Sequence, residues 1–197
     1  MAVTYTNRRG STYKLFRTKT KTGKDRYYFA KSSSKGELCE KIPEGFEIRE
    51  SPNSVVSLAK KRPQKLRPSE VALIQAVLAE HPQSGKYETY VKSDRVVIYE
   101  RIGPDLAGIA SIFNQHGMAV SEEKEEELQE KIGADARYEG VLQFTLTDES
   151  DRAFVVERWC YLGGIDDWMY VESGNCLEEL ATKTIPLLGT DAFYDLY

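Results

Sequence analysis

Seven basic side chains crowd one short segment near the start of the chain, and aromatic residues are interspersed among them. They are Lys14, Arg17, Lys19, Lys21, Lys24, Arg26 and Lys31, with Asp25 as the one acidic residue in the segment. Several cations that approach a nucleic-acid backbone together displace its counterions and bind it. A two-stranded ribbon fits the DNA major groove, and exposed rings stack on unpaired bases. We therefore predict that these seven residues bind nucleic acid.

The same segment also has a purely structural interpretation. In it, the aromatic side chains form a core or half-buried layer, and the lysines keep exposed strand edges from pairing with other chains. The rings concerned are Tyr13, Phe16, Tyr27, Tyr28 and Phe29. Both interpretations remain open at the level of sequence.

A second group with chemical potential is acidic and lies beside two tryptophans. It contains Glu157, Asp166, Asp167 and Glu172. Such carboxylates bind divalent metals or transfer protons when they converge. Nuclease-type sites also need a lysine two positions after an acid, whereas Trp159 stands two positions after Glu157. We rank a metal-dependent enzyme using the 157–172 carboxylates third among the possible functions.

Other catalytic patterns are missing from the chain. It has no GxSxG sequence, and the Thr-Gly-Lys at 22–24 lacks the preceding glycine of a phosphate-binding loop. The three cysteines show no zinc spacing, so we predict free thiols at Cys39, Cys160 and Cys176. His81 and His116 lie near the ends of predicted helices. The sequence predicts no cofactor, no metal site and no small-molecule substrate.

The net charge of −4 conceals two opposite parts. Residues 1–68 hold 17 Lys and Arg against 6 Asp and Glu, a net charge of +11, whereas residues 69–197 hold 10 against 25, a net charge of −15. Such asymmetry is typical of a protein whose basic part meets a polyanion. Alternatively, the two parts neutralise each other within the molecule. The acidic part is also suited to a basic protein partner.

The basic residues fall in a predicted three-stranded meander over 3–32. The segment 21–24 is its hairpin turn, because Gly23 supplies the positive φ that a tight turn requires. Residues 32–37 read as a loop, and two further strands over 45–62 complete a unit of about five strands.

The remaining segments alternate between helices and antiparallel hairpins. We predict helices near 68–81, 104–117, 121–133 and 175–189, and strands over 86–101, 138–163 and 166–173. The fold class is α+β: a basic β-rich N-terminal meander, then an acidic part with antiparallel hairpins and three to four helices. The predicted domains are 1–66 and 67–197, and the alternative is that the two form one compact unit.

Length and composition set the class of protein. The chain has 197 residues, of which 41% are hydrophobic and 29% charged, so we expect a folded protein. It has no apolar run of membrane-spanning length and no secretory signal, so we predict a cytoplasmic protein without membrane contact. The leading hypothesis is a non-enzymatic accessory protein that contacts nucleic acid and a protein partner. The alternative is an adaptor or inhibitor without nucleic-acid binding.

Overall fold

The protein is α+β, and all its described strand pairings are antiparallel. A computed structural model describes residues 1–33, 35–103, 136–160 and 166–195. Within these ranges, no helix is long and apolar enough to cross a membrane. The predicted helices at 104–117 and 121–133 lie outside the described residues, as does His116.

Two compact units make up the described chain. The first takes in Met1–Arg62 and, of Pro104–Ala136, the described residue Ala136, and the second takes in Pro63–Gly103 with Arg137–Tyr197. The prediction of separate domains at 1–66 and 67–197 stays a prediction.

The first unit contains a four-stranded sheet and a separate two-stranded sheet. Its strands are β1 (Thr4–Thr6), β2 (Thr12–Lys19), β3 (Asp25–Ala30), β4 (Glu37–Leu38), β5 (Phe46–Glu50) and β6 (Val56–Lys60). The order β1-β2-β3 is the meander predicted from the sequence, and β5 pairs with β6. The short strand β4 pairs with β2 and lies partly in a segment predicted as loop.

Both faces of β2 are covered. Leu15 and Phe16 follow each other and are 0% and 4% exposed, although neighbouring side chains of a strand point to opposite faces. The ring of Tyr27, on the face that carries Leu15, lies 6.1 Å from the ring of Phe46. On the other face, Phe16 stacks on Tyr28. This double burial explains why the sequence shows no clean apolar face here.

The second unit is a five-stranded sheet with helices on one face. Its strands are β7 (Tyr87–Val91), β8 (Arg95–Ile102), β9 (Arg137–Asp148), β10 (Ala153–Cys160) and β11 (Asp167–Gly174). Its helices are α1 (Pro68–Ala79), α2 (Leu177–Thr184) and α3 (Asp191–Tyr194), with 3-10 turns at Ser84–Lys86 and Ile185–Leu187. The sheet order is β11-β10-β9-β8-β7, so neighbours along the chain are neighbours in the sheet.

The core of the second unit lies between this sheet and its helices. Phe154 and Val156 of β10 are 1% and 0% exposed and alternate with half-exposed residues, which is the pattern of a strand covered on one face. Ile74 of α1 and Leu180 of α2 belong to the same cluster. Burying one such side chain contributes about 1.5–3 kcal/mol to folding.

A charged contact joins the start of α1 to the β9–β10 turn. Glu70 accepts a 2.7 Å hydrogen bond from the main-chain N–H of Arg67, as in a capping box. Arg152 donates to the same carboxylate through Nε at 2.8 Å and Nη2 at 2.5 Å. The β9–β10 hairpin is therefore fixed to the first turn of the helix by a two-bond ion pair.

Candidate nucleic-acid interface

The turn of the β2–β3 hairpin forms where the sequence predicts it. The N–H of Thr20 donates to the carbonyl of Lys24 at 2.8 Å, and the N–H of Gly23 donates to the carbonyl of Thr20 at 2.9 Å. Gly23 has φ +78°, in the region that favours glycine. Lys21 and Lys24 therefore lie at the exposed tip of the hairpin.

The strand register distributes the cations over both faces of the hairpin. Thr18 pairs with Arg26, and Lys19 pairs with Asp25. Because side chains alternate along a strand, Arg17 and Lys19 lie on one face and Arg26 lies on the other. Every one of the seven predicted residues is exposed. The charges thus surround the hairpin and do not form a single flat patch.

Only one of the seven cations has an ionic partner among the described residues. Arg17 Nε lies 3.0 Å from Asp25 Oδ1, and the hydrogen bond and charge of Asp25 raise the pKa of the Arg17 guanidinium. The other six form no ion pair within the ranges that the structure describes. Their side chains are exposed.

The aromatic rings of the segment are used for packing. Phe16 and Tyr28 stack with centroids 5.7 Å apart and planes 21° apart. Tyr27 contacts Phe46, and Tyr13 and Phe29 are half-buried. The structural interpretation therefore fits the rings, whereas the exposed cations fit the binding interpretation.

A depression of about 420 Å³ lies beside β2 and includes a cation that the sequence analysis missed. Among the described residues its lining is Arg17, Thr18, Lys19, Lys35 and Glu37. Lys35 stands outside the 14–31 cluster, in a segment read as a loop. The glycine that follows it is a local signal of close packing, but it does not reveal which strand the loop meets.

Three of the four predicted carboxylates enter separate local contacts. Glu157 accepts hydrogen bonds from Gln143 at 2.7 Å and Thr145 at 3.4 Å. Glu172 pairs with Lys183 of α2 at 2.7 Å, and Asp167 accepts from the N–H that follows it at 2.8 Å. Asp166 is exposed. Among the described residues, no group of three or more His, Cys, Asp or Glu is placed to hold a metal.

The three cysteines are free thiols, and the described histidine, His81, is hydrogen-bonded to the main chain. Cys39, Cys160 and Cys176 form no disulfide, and Cys160 is buried, as its strand position indicates. Burial raises the pKa of the Cys39 thiol. His81 is held at both ring nitrogens: Nε2 lies 3.1 Å from the carbonyl oxygen of Leu188, and Nδ1 accepts from the N–H of Gln83 at 3.1 Å. These bonds connect the end of α1 to the segment after α2.

Comparison with known proteins adds no assignment. No protein-family model matches the chain, and no curated protein or solved structure matches it either. Its function is therefore inferred from the charges and contacts described above.

Proposed function

We propose that the protein is a non-enzymatic accessory protein of the cytoplasm. It contacts nucleic acid through the β2–β3 hairpin and a basic protein partner through its acidic part. The observation that carries the nucleic-acid role is the exposure of six cations that have no ion pair with any described residue. A phosphate backbone supplies the closely spaced negative charges that such a surface lacks.

The packing of the rings favours contact with phosphates over contact with bases. Unpaired bases stack on exposed aromatic faces, whereas Phe16 is 4% exposed and Tyr27 and Tyr28 are half-buried. Phosphate contacts position a protein without reading the base sequence. We therefore expect binding that depends weakly on base sequence and falls steeply as salt concentration rises.

Reversing the two lysines at the hairpin tip tests this role. In Lys21→Glu/Lys24→Glu, we expect the affinity for a mixed-sequence 20-base-pair DNA to fall at least about tenfold at low salt, because two phosphate contacts become repulsive. The slope of log affinity against log salt should also become shallower, by about 0.9 for each phosphate that the variant no longer neutralises. Fluorescence anisotropy over a salt series measures both quantities.

Two control variants separate the hairpin from total charge. Lys21→Arg/Lys24→Arg keeps the charge and should bind like the natural chain. Lys60→Glu/Lys61→Glu makes the same charge change at exposed positions at and just beyond the end of β6 and should bind more tightly than the tip variant. Equal losses at the two sites, or no binding by the natural chain at low salt, would reject the hairpin as the interface. Duplex RNA as a second probe distinguishes DNA from RNA.

The acidic part is proposed to meet a basic protein surface. Residues 69–197 carry a net charge of −15, and Glu178 and Glu179 in the first turn of α2 are exposed. We expect Glu178→Lys/Glu179→Lys to lose a partner that the natural chain retains after nuclease treatment. The same proposal includes two finer predictions. They are three to four helices in the acidic part, and domains at 1–66 and 67–197.

The alternative is a protein adaptor or inhibitor without a nucleic-acid role. Retention of a nuclease-resistant partner, together with no binding of any nucleic-acid probe at low salt, would favour it over the leading proposal.

A further inference from the structure

The depression beside β2 lies at the start of strand β4. Strand β4 pairs with Phe16 and Arg17 of β2. The next two residues, Thr18 and Lys19, have no strand partner on that edge within the described part of the chain. Beside these two unpaired residues lies the depression of about 420 Å³.

The main chain contributes a hydrogen-bond donor at this edge. In an antiparallel pair, successive residues direct their N–H groups alternately toward and away from the partner strand. The N–H of Thr20 bonds to Lys24, so the N–H of Lys19 is directed away from β3. Leu15 shows the same orientation, since its N–H donates to Val3 at 3.0 Å on that edge.

The segment carrying Lys35 is held in place on both sides. Before it, Ser33 Oγ lies 2.7 Å from Tyr28 Oη and accepts a 3.2 Å hydrogen bond from the N–H of Lys35. After it, Gly36 lies against the β2–β3 rings. A Cβ at Gly36 would lie 2.5 Å from Tyr28 Oη and 2.9 Å from Phe16 Cβ, so a side chain there would collide. The position of the Lys35 main chain is therefore set before any ligand arrives.

The cations around the depression differ in whether they have an acidic partner within the protein. Arg17 bonds to Asp25 and stands opposite Glu37 in the register, so its charge is largely matched within the protein. Lys19 and Lys35 have no ion pair with a described residue. Lys19 and Lys35 thus line one space, and the Lys19 N–H is directed toward this edge of β2.

We propose that this depression is a subsite for one phosphate group, bound by Lys19 and Lys35 at the strand edge that Thr18 and Lys19 leave without a strand partner. The donors match what phosphate oxygens accept: charged ammonium groups and a main-chain N–H. Because the contacts of Ser33 and Gly36 hold the main chain on either side of Lys35, binding there loses little further main-chain freedom. The source of the phosphate, a nucleic-acid backbone, rests on the proposed function. The subsite itself also fits a free phosphorylated compound.

Titration of the ¹⁵N-labelled full chain, followed by amide NMR, tests the subsite. The first probe is inorganic phosphate alone and the second is the 20-base-pair DNA. We expect phosphate to shift the amides of Thr18, Lys19, Lys35 and Glu37. Lys35→Ala should weaken phosphate binding at least about fivefold through the loss of one charged donor. Lys41→Ala, at an exposed lysine outside both the lining and the seven hairpin cations, is the control and should bind like the natural chain.

A second variant should change the phosphate affinity in the opposite direction. Glu37 is the one acidic residue among the described residues that line the depression, and its carboxylate repels phosphate. Glu37→Gln should therefore bind phosphate at least about twofold more tightly, because the repulsion between like charges is removed. Unchanged or weaker phosphate binding by Glu37→Gln would contradict the subsite.

The outcomes separate this inference from the proposed function. Phosphate shifts that Lys35→Ala removes, with no DNA binding by the natural chain, would keep the subsite, assign it to a free phosphorylated compound and reject the nucleic-acid role. DNA binding that the hairpin-tip reversal lowers, with Lys35→Ala indistinguishable from Lys41→Ala, would keep that role and overturn the subsite. Phosphate shifts spread equally over all lysines would also overturn it.

Discussion

The β2–β3 hairpin and the β9–β10 hairpin are both antiparallel pairs whose turns contain a residue with positive φ, yet their charged side chains have different partners. In β9–β10, Arg152 bonds to Glu70 and Glu149 lies 2.6 Å from Lys65. In β2–β3, the tip lysines have no ion pair with a described residue. A cation near a turn can thus serve the fold or remain available to an external anion.

Burial distinguishes the ion pairs of the two hairpins. The side chains of Arg152 and Glu70 are 15% and 13% exposed, whereas those of Arg17 and Asp25 are 45% and 37% exposed. Water and salt screen the second pair, so it contributes little to stability. The first pair is partly removed from water, and each partner compensates the other's lost hydration.

Replacing the arginine of each ion pair by alanine should change stability very differently in the two hairpins, and this is the largest effect that we predict. We expect Arg152→Ala to lower the free energy of unfolding by about 2–3 kcal/mol, because Glu70 keeps only its bond from the Arg67 N–H. Arg17→Ala should leave stability unchanged within error. Urea unfolding followed by tryptophan fluorescence measures the first effect, since both tryptophans lie in the second unit. Hydrogen exchange of the β2 amides measures the second.

One outcome would contradict this difference between the two ion pairs. If Arg17→Ala opened the β2 amides as strongly as Arg152→Ala destabilises the second unit, exposure would not separate the two pairs. The β2–β3 cations would then be structural.

Acid should weaken the second unit through the same carboxylate. Burial raises the pKa of Glu70, but the hydrogen bonds from Arg152 and the Arg67 N–H, with the nearby positive charge, bring it below the ordinary 4.5. Since the folded-state pKa is lowered, the stabilisation is fully present above the unfolded-state pKa. It is lost as pH falls through the folded-state value. We expect urea midpoints by tryptophan fluorescence to decline below about pH 4.5.

Glu70→Gln is the matched variant for this pH dependence. It should be less stable at pH 7 and should show a shallower decline on acidification, because it has no carboxylate to protonate. Asp94 and Asp148 retain their own lowered pKa values in the variant, from hydrogen bonds donated by Arg95 and by the Ser150 side chain respectively. Some acid sensitivity should therefore persist, but parallel profiles for the two proteins would exclude Glu70 as its source.

Both hairpins could be predicted from the sequence because their signals are local. Gly23 marks one turn, the polar run 148–151 marks the other, and strands of suitable length flank each. The faces of β2–β3 could not be predicted, since Leu15 and Phe16 are buried in succession and hide the alternation.

The partners of the charged residues could not be predicted either. Glu70 reads from sequence as part of a helix start, and nothing near it indicates a residue 82 positions away in the chain. Lys35 reads as one lysine of a loop, and only the folded chain places it beside Lys19. Such pairings depend on tertiary structure, whereas periodicity and turn chemistry report on neighbours along the chain.

Substitutions at the positive-φ residues of these two turns, Gly23 and Arg152, should have the smallest effects on stability. Gly23 has φ +78° with open space around it, so Gly23→Ala meets no clash and should cost about 1 kcal/mol for the left-handed conformation alone. Arg152 holds φ +54° although it is not glycine, and its ion pair with Glu70 offsets that cost. We therefore expect Arg152→Gly to be about 1 kcal/mol more stable than Arg152→Ala, since neither variant can form the ion pair but only alanine keeps the strain. Urea midpoints of the two variants test this, and equal midpoints would mean that the turn relaxes once the ion pair is removed.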